Sequence, residues 1–337
     1  MMNKCFLIVG PRRHGSSGYW LYDKLCSQYS VKTLYTRMDD LESPSKEKVL
    51  YRMLKNILYV RFHAKKEDLV LVYDNDTQGH YCGVLFSLTF SKVVIHKINA
   101  MAVNKDRLFS PLKRIFVKIA YRNIYTTVNN ENIAQMFTTF LNVPSKHFIP
   151  IPDSISDFGF DIQNIKNNKD NGYIFMGGAT YRDYPMFIDV AKKYPNYQFV
   201  AVTFERFQYY FKDAPTNVKV MYGLKECDFY QVMANSTLVF VPLTSDVQGG
   251  QMVVMQAALL KKPIITTTTL AISTYFNIDS ISLINVGDIE NACTYLEKLM
   301  NSEKLRKEMG EKAFLDVSRF SVDKIYSEYQ KKLFPIR

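Results

Sequence analysis

The residues best equipped for chemistry gather in three glycine-bearing turns. In "FMGGATYRDYP", residues 175–185, Gly177 and Gly178 follow an apolar run, and Arg182 stands shortly before Pro185. A glycine turn lets backbone N–H groups approach a phosphate, a following helix terminus adds positive potential, and a guanidinium can clamp a diphosphate with two parallel bonds. The same residues also suit a plain tight turn with a surface arginine. In "VQGGQMVVMQAALL", Gln248, Gly249, Gly250 and Gln251 crowd polar and flexible groups at a helix start, and Gln256 follows Gln248 with seven residues between them. Each glutamine offers a carbonyl acceptor and an NH₂ donor, a set that matches hydroxyl groups. In "GPRRHGSSGYW", Gly15, Ser16 and Ser17 follow Arg12, Arg13 and His14. That loop can approach a phosphate or an acceptor, or be a flexible loop with a capping serine. It lacks the G-x-G-x-x-G spacing of a dinucleotide site. His96 closes the apolar run "VVIH", and a lone histidine there serves a structural role as readily as a chemical one. Asp74 and Asp76, with His80 nearby, close another strand and either bind acceptor or cap the next helix. Three such ligands in a loop do not define a metal site.

These groups need elements to carry them. Short apolar runs alternate with helical spacing along the whole chain. The first half reads as strands at 4–10, 31–38, 67–76, 92–99 and 123–129, with helices at 17–29, 46–62, 105–123 and 130–142. After a stretch rich in Asp, Asn, Ser and Gly, the alternation restarts with strands at 172–178, 197–203, 217–223 and 237–243 and helices at 185–194, 205–211 and 227–236. Further strands are expected within 261–269 and 280–288, followed by three helices. Repeated strand–helix units of this length imply parallel sheets covered on both faces, with ligands at the carboxyl ends of the strands.

The chain has 337 residues, 47 % of them hydrophobic, which suits two globular domains. No apolar run reaches the length of a spanning helix, and the run from Cys5 to Gly10 is too short for a secretory leader. Five scattered cysteines without C-x-x-C spacing fit a reducing cytoplasm. The net charge of +11 lies wholly in the first half: residues 1–150 hold 22 of the 43 Lys and Arg but 11 of the 32 Asp and Glu, leaving 21 of each beyond. Such a one-sided field invites an anionic partner: a membrane, a phosphorylated substrate or a nucleic acid. No nucleic-acid partner is expected, because the chain carries no RNP, KH or helix–turn–helix signature. The segments 52–66 and 105–123 interleave Lys and Arg with large apolar residues, a texture suited to docking on the inner face of an anionic membrane.

From residue 172 to about 335 the chain resembles the carboxyl-terminal domain of retaining, nucleotide-sugar-dependent glycosyltransferases of the GT-B fold (glycosyltransferase group 1, family 4-like). Five pieces come in family order: "FMGGATYRDYPMFIDVA", "NVKVMYGLKECDFYQVMANSTLVFVPL", "QGGQMVVMQAALLKKPII", "VGDIENACTYLEKLMNSEKLRKEMGEKA" and "FSVDKIYSEYQKKLF". The resemblance implies two Rossmann-like, doubly wound α/β domains with a cleft between them. They would comprise an acceptor domain at 1–150, a linker at 151–171, a nucleotide-sugar domain at 172–318 and a terminal helix at 319–337 crossing back. It also implies hexosyl transfer with retention from a nucleoside diphosphate sugar, such as a UDP-sugar, to a glycan or lipid-linked acceptor in polysaccharide biosynthesis. No metal and no cofactor beyond the donor is implied. Gly177, Gly178 and Arg182 would meet the diphosphate, as would the amides at Gly249, Gly250 and Gln251. Gln248 would bind the donor sugar, Gln256 the ribose, and His96 would lie near the reacting carbon.

Two departures matter. Both family glutamates are glutamines here, which keeps hydrogen bonding to hydroxyls but removes negative charge near a developing oxocarbenium ion. Either the donor is one that amides recognise, or the protein binds nucleotide sugar without turning it over. The lysine that often follows the family arginine is replaced by Asp183-Tyr184-Pro185, so Lys225 or a first-domain arginine would supply a second cation.

Overall fold

A computed structural model describes residues 3–11, 20–37, 45–73, 76–98, 111–155, 165 and 170–336. The chain divides into two compact units, Met1–Gly159 with Val322–Arg337, and Phe160–Ser321.

In the first unit, β1 (Lys4–Pro11), α1 (Trp20–Cys26), β2 (Ser30–Arg37), α2 (Lys46–His63), β3 (Leu69–Tyr73) and α3 (Asp76–Leu88) lead to β4 (Ile95–Ile98), α4 (Pro111–Ala120), β5 (Ile124–Val128), α5 (Glu131–Leu141) and β6 (Phe148–Pro150). The sheet is parallel throughout, with order β2-β1-β3-β4-β5-β6. The central strand β3, "LVLVY", is a continuous apolar run with all five residues buried, as expected where helices cover both faces of a sheet. Local chemistry sets the helix ends. Asn130 caps α5 by accepting from Ile133 N, and Asn142 ends it in the left-handed region at φ 52°. The terminal helix α11 (Val322–Glu328) packs in this unit, where Tyr326 Oη donates to Lys24 O at 3.1 Å and Lys24 pairs with Asp323.

The second unit runs β7 (Tyr173–Gly177), α6 (Tyr184–Lys193), β8 (Gln198–Thr203), β9 (Val218–Tyr222), α7 (Glu226–Ala234), β10 (Leu238–Val241), α8 (Gln251–Leu259), β11 (Ile264–Thr267), β12 (Ser282–Ile284), α9 (Ile289–Met300) and α10 (Glu303–Val317). Its parallel sheet has the order β12-β11-β10-β7-β8-β9. The chain winds outward from β7 through β8 and β9, then returns to the other side of β7 with β10. That reversal puts a topological switch point between β7 and β10, the place where open α/β sheets bind ligands.

Four expectations need correction. Helix α3 was not foreseen, because Gly79 and Gly83 obscure its period; Gly83 is there for packing, since a methyl group on it would lie 2.6 Å from Ala120 O. The helix expected at 105–123 ends at Ala120, before 121–123; its described part is Pro111–Ala120, and residues 105–110 lie outside the described residues. The helix expected at 205–211 is a 3₁₀ helix, Glu205–Phe211. The short strand β6, which pairs with β5, was not among the expected strands.

A buried cation in the second unit gives a pH prediction. Lys262 donates from Nζ to Ser236 O at 2.8 Å, and Asp170 is the acid whose charge favours its protonated form. Burial nevertheless pulls its pKa down to about 8 from 10.5. Between those values the unfolded chain holds a proton that the folded chain has released, so stability should rise with pH above about 8. Denaturant melts from pH 7 to 10 should show that rise in the parent and a flatter profile in Lys262→Met. Parallel profiles would remove Lys262 as the cause.

Candidate functional site

The switch point of the second unit gathers the sequence-predicted donor residues. β7 ends at Gly177, and Gly178 turns the chain with φ 96°. Tyr181 takes φ 56°, uncommon for a bulky side chain, and Gly249 and Gly250 take φ 138° and 71° across the switch. These positive-φ residues meet. A methyl group on Gly249 would lie 3.2 Å from Tyr181 Cβ, and one on Gly250 would lie 3.3 Å from Arg182 Nη1. Any side chain at Gly178 would strike the guanidinium, with Arg182 Nη2 2.4 Å from its Cβ position. The glycines are therefore there to let the two loops close around Arg182.

The backbone fixes this geometry. Thr244 N donates to Tyr181 O at 2.9 Å and Asp183 N to Pro242 O at 3.0 Å, so the loop after β7 is bonded to the end of β10. Leu243 N donates to Thr267 Oγ1 at 2.8 Å, which ties in β11. Tyr184 Oη donates to Gly178 O at 3.0 Å and bonds Thr203 Oγ1 at the end of β8. Asp183, which stands where a cation was sought, caps α6 by accepting from Met186 N at 3.0 Å.

Arg182 is 7 % exposed. Its Nε donates to Gly177 O at 2.6 Å and Nη1 to Thr180 O at 2.8 Å, using two of the five guanidinium N–H groups. No carboxylate pairs with it among the described residues, and burial lowers its pKa to about 10, so it stays charged at neutral pH. Gly250 begins α8, and no side chain caps that helix start. Helix-start amides beside a buried, unneutralised guanidinium are groups that can bind an anion.

The glutamines line the same helix. Gln248 is buried before it. Gln251 Oε1 accepts from Gly249 N at 3.1 Å and so braces the loop. Gln256 is buried on α8, and its Nε2 donates to Tyr230 Oη of α7, leaving its carbonyl oxygen as an acceptor. Sequence reasoning missed Tyr181, Tyr184, Thr203 and Thr267. Tyr181 and Tyr184 flank Arg182, but nothing in their spacing distinguishes them from core aromatics.

The other candidates belong to the first unit. His96 lies in β4, fully buried, with Nε2 2.9 Å from Ile336 O and Nδ1 3.3 Å from Val70 O. The ring is enclosed between carbonyls from the terminal segment and from β3 of the same unit. Gly15, Ser16, Ser17, Arg12, Arg13, His14 and Asp74 lie outside the described residues, and the side chain of Asp76 is likewise not described. Among the described residues no cluster of His, Cys, Asp and Glu is arranged to hold a metal.

Two parallel six-stranded, doubly wound units make this a GT-B fold. It is shared with HepE from Anabaena, solved with UDP and glucose, at TM-score 0.70 and 14 % identity over 97 % of this chain and 99 % of that one. Sucrose-phosphate synthase from Thermosynechococcus elongatus aligns at TM-score 0.73 and 11 % identity over 99 % and 100 % of the two chains. A Listeria monocytogenes protein assigned as a UDP-N-acetylglucosamine 2-epimerase aligns at TM-score 0.62 and 12 % identity over 99 % and 98 %. No protein-family profile and no curated protein sequence matches the chain.

Proposed function

We propose that the protein is a glycosyltransferase that moves a hexosyl unit from a nucleoside diphosphate sugar to a glycan or lipid-linked acceptor, with retention of configuration. The observation that carries this reading is Arg182: a buried cation without a carboxylate partner, set beside an uncapped helix start at the switch point of the sheet. A diphosphate supplies the two adjacent anionic groups that such a fork and helix terminus match. HepE, which binds UDP-glucose in the same fold, supports a UDP-sugar as donor.

In this reading Arg182 and the amides at the start of α8, from Gly250 onward, stabilise the charge that the diphosphate gains as it leaves. Gln256 accepts from a ribose hydroxyl through its free carbonyl oxygen, and Gln248 bonds the donor sugar. Retention without a protein nucleophile implies front-face attack, in which the leaving phosphate takes the acceptor proton. Gln256→Ala should then weaken binding of the free nucleotide, while Gln248→Ala should spare the nucleotide and weaken the intact donor. Calorimetry with both ligands separates the two; equal losses on Gln248→Ala would reject its assignment to the sugar.

The amides favour a second reading, a protein that binds nucleotide sugar without transfer, because they withhold the negative charge that glutamates would place beside an oxocarbenium ion. The fold alone does not exclude it, since the same fold serves an assigned epimerase. Thermal shift against UDP-, GDP- and dTDP-sugars, followed by donor hydrolysis and transfer assays, decides. Stabilisation with neither hydrolysis nor transfer would leave the binder; no stabilisation by any of them would end both readings.

A further inference from the structure

We infer that the first unit docks on an anionic lipid surface through the end of its sheet at which the strands begin, with Phe62 and Phe90 entering the interface. Helix α2 carries large apolar residues on two faces. Met53, Ile57 and Val60 face the core. Tyr51, Leu58 and Phe62 fall within about 40° of one another on the opposite face, at 100° per residue. They are exposed, Phe62 at 79 %. Lys55 and Glu47 share that face, and a helix that holds large apolar side chains among charges on its outward side as well suits a second, amphipathic covering surface.

The patch continues onto the neighbouring helix. Arg61 Nε donates to Thr89 Oγ1 at 2.7 Å and Nη2 to Thr89 O at 3.2 Å, which joins the end of α2 to the end of α3. Thr89 sits between Leu88 and Phe90, both exposed, and Phe90 is 92 % exposed at φ 51°. A phenylalanine held in the left-handed region and offered to water gains nothing from the unit's own packing.

Charge selects the occupant. In the connections that follow α2, α3 and α4 (residues 64–68, 89–94 and 121–123) the exposed charges are Lys65, Lys66, Lys92 and Arg122 against Glu67. Asp68 is turned inward and accepts from Lys4 N and Lys65 N. Aromatic tips ringed by lysines suit the headgroup layer of an anionic bilayer, where the rings enter the acyl boundary and the ammonium groups meet phosphate. Among the described residues no helix is long and apolar enough to cross a membrane, so attachment here is peripheral. This surface includes part of the segment 52–66 named from the sequence; of the segment 105–123, residues 105–110 lie outside the described residues. The proposal does not depend on the donor site.

The test is co-sedimentation of the full chain with phosphatidylcholine vesicles, with and without phosphatidylglycerol, at low and high salt. Binding to the anionic vesicles alone, weakened by salt, is expected. Phe62→Ser with Phe90→Gly should lower it at least tenfold, and the glycine relieves the backbone at position 90. Lys65, Lys66 and Lys92 changed together to Gln should lower it on the order of a hundredfold. Both variants should keep the parent's circular dichroism and its affinity for UDP, so loss of lipid binding is read apart from the donor site. No binding to anionic vesicles at low salt, or equal binding to neutral ones, overturns the proposal. So does a parent dimer that the Phe62→Ser, Phe90→Gly variant turns monomeric in sedimentation, which would give the surface to a second copy.

Discussion

Arg182→Ala should lower affinity for the nucleoside diphosphate by about 3 kcal/mol, roughly a hundredfold in Kd, and leave the bare nucleoside within about twofold. The magnitude follows from where the guanidinium sits. At 7 % exposure it is mostly withdrawn from water, and no carboxylate among the described residues offsets that loss. An arriving diphosphate would take up N–H groups that Gly177 O and Thr180 O leave free. Arg182→Lys should not rescue binding, because a lysine presents a point charge where a planar fork bridges two oxygens. The unliganded variant should stay within about 1 kcal/mol of the parent: two bonds to carbonyls are lost, but an uncompensated buried charge is removed with them. Titration calorimetry with UDP and uridine, or the pair whose diphosphate binds the parent, reads all three expectations. Equal, small losses for nucleotide and nucleoside would take Arg182 out of the site.

That arginine also marks how far the sequence can be read. Its position after a strand and two glycines was legible, because a short apolar run ending in glycine, here "YIFMGG", reads as a buried strand end. Its burial was not, since a turn arginine is ordinarily solvated; only the fold shows Gly178 and Gly250 closing over it. The alternation of strands and helices was legible wherever the helices were amphipathic. It failed at α3, whose Gly83 serves contacts that lie 37 and 41 residues on in sequence, with Ala120 of α4 and Ile124 of β5. His96 shows a different limit. A histidine closing an apolar run looks available, yet the terminal segment returns 240 residues later to place Ile336 O against its ring. Contacts of that separation leave no periodic trace. The docking end shows the same limit in milder form: the sequence held its basic and apolar residues, but which of them faced outward depended on which side of α2 met the sheet.

Gly310→Ala should destabilise the second unit by about 3 kcal/mol or more, a larger loss than any left-handed glycine outside the donor loops should give. Gly310 lies in α10, where alanine is the better helix former by about 1 kcal/mol, so propensity alone predicts a gain. Packing reverses the sign. A methyl group there would lie 2.0 Å from Lys261 O and 2.7 Å from its carbonyl carbon, both backbone atoms of the turn that ends α8. No rotamer can relieve that contact; either α10 or the turn must move by more than 1 Å. The turn is pinned from both sides, because Lys261 N and Lys262 N donate to Ala258 O and Ala257 O, and Lys262 Nζ reaches Ser236 O. Displacement would pass into α8, which carries Gln256 and starts at the candidate anion site. Gly223 is the control: it has φ 60° but open space around the added carbon, so Gly223→Ala should cost only about 1 kcal/mol of backbone strain. Denaturant melts of the two variants against the parent measure the contrast. If Gly310→Ala proved as mild as Gly223→Ala, α10 would not brace α8 at this distance, and the placement of the donor helix would need another support.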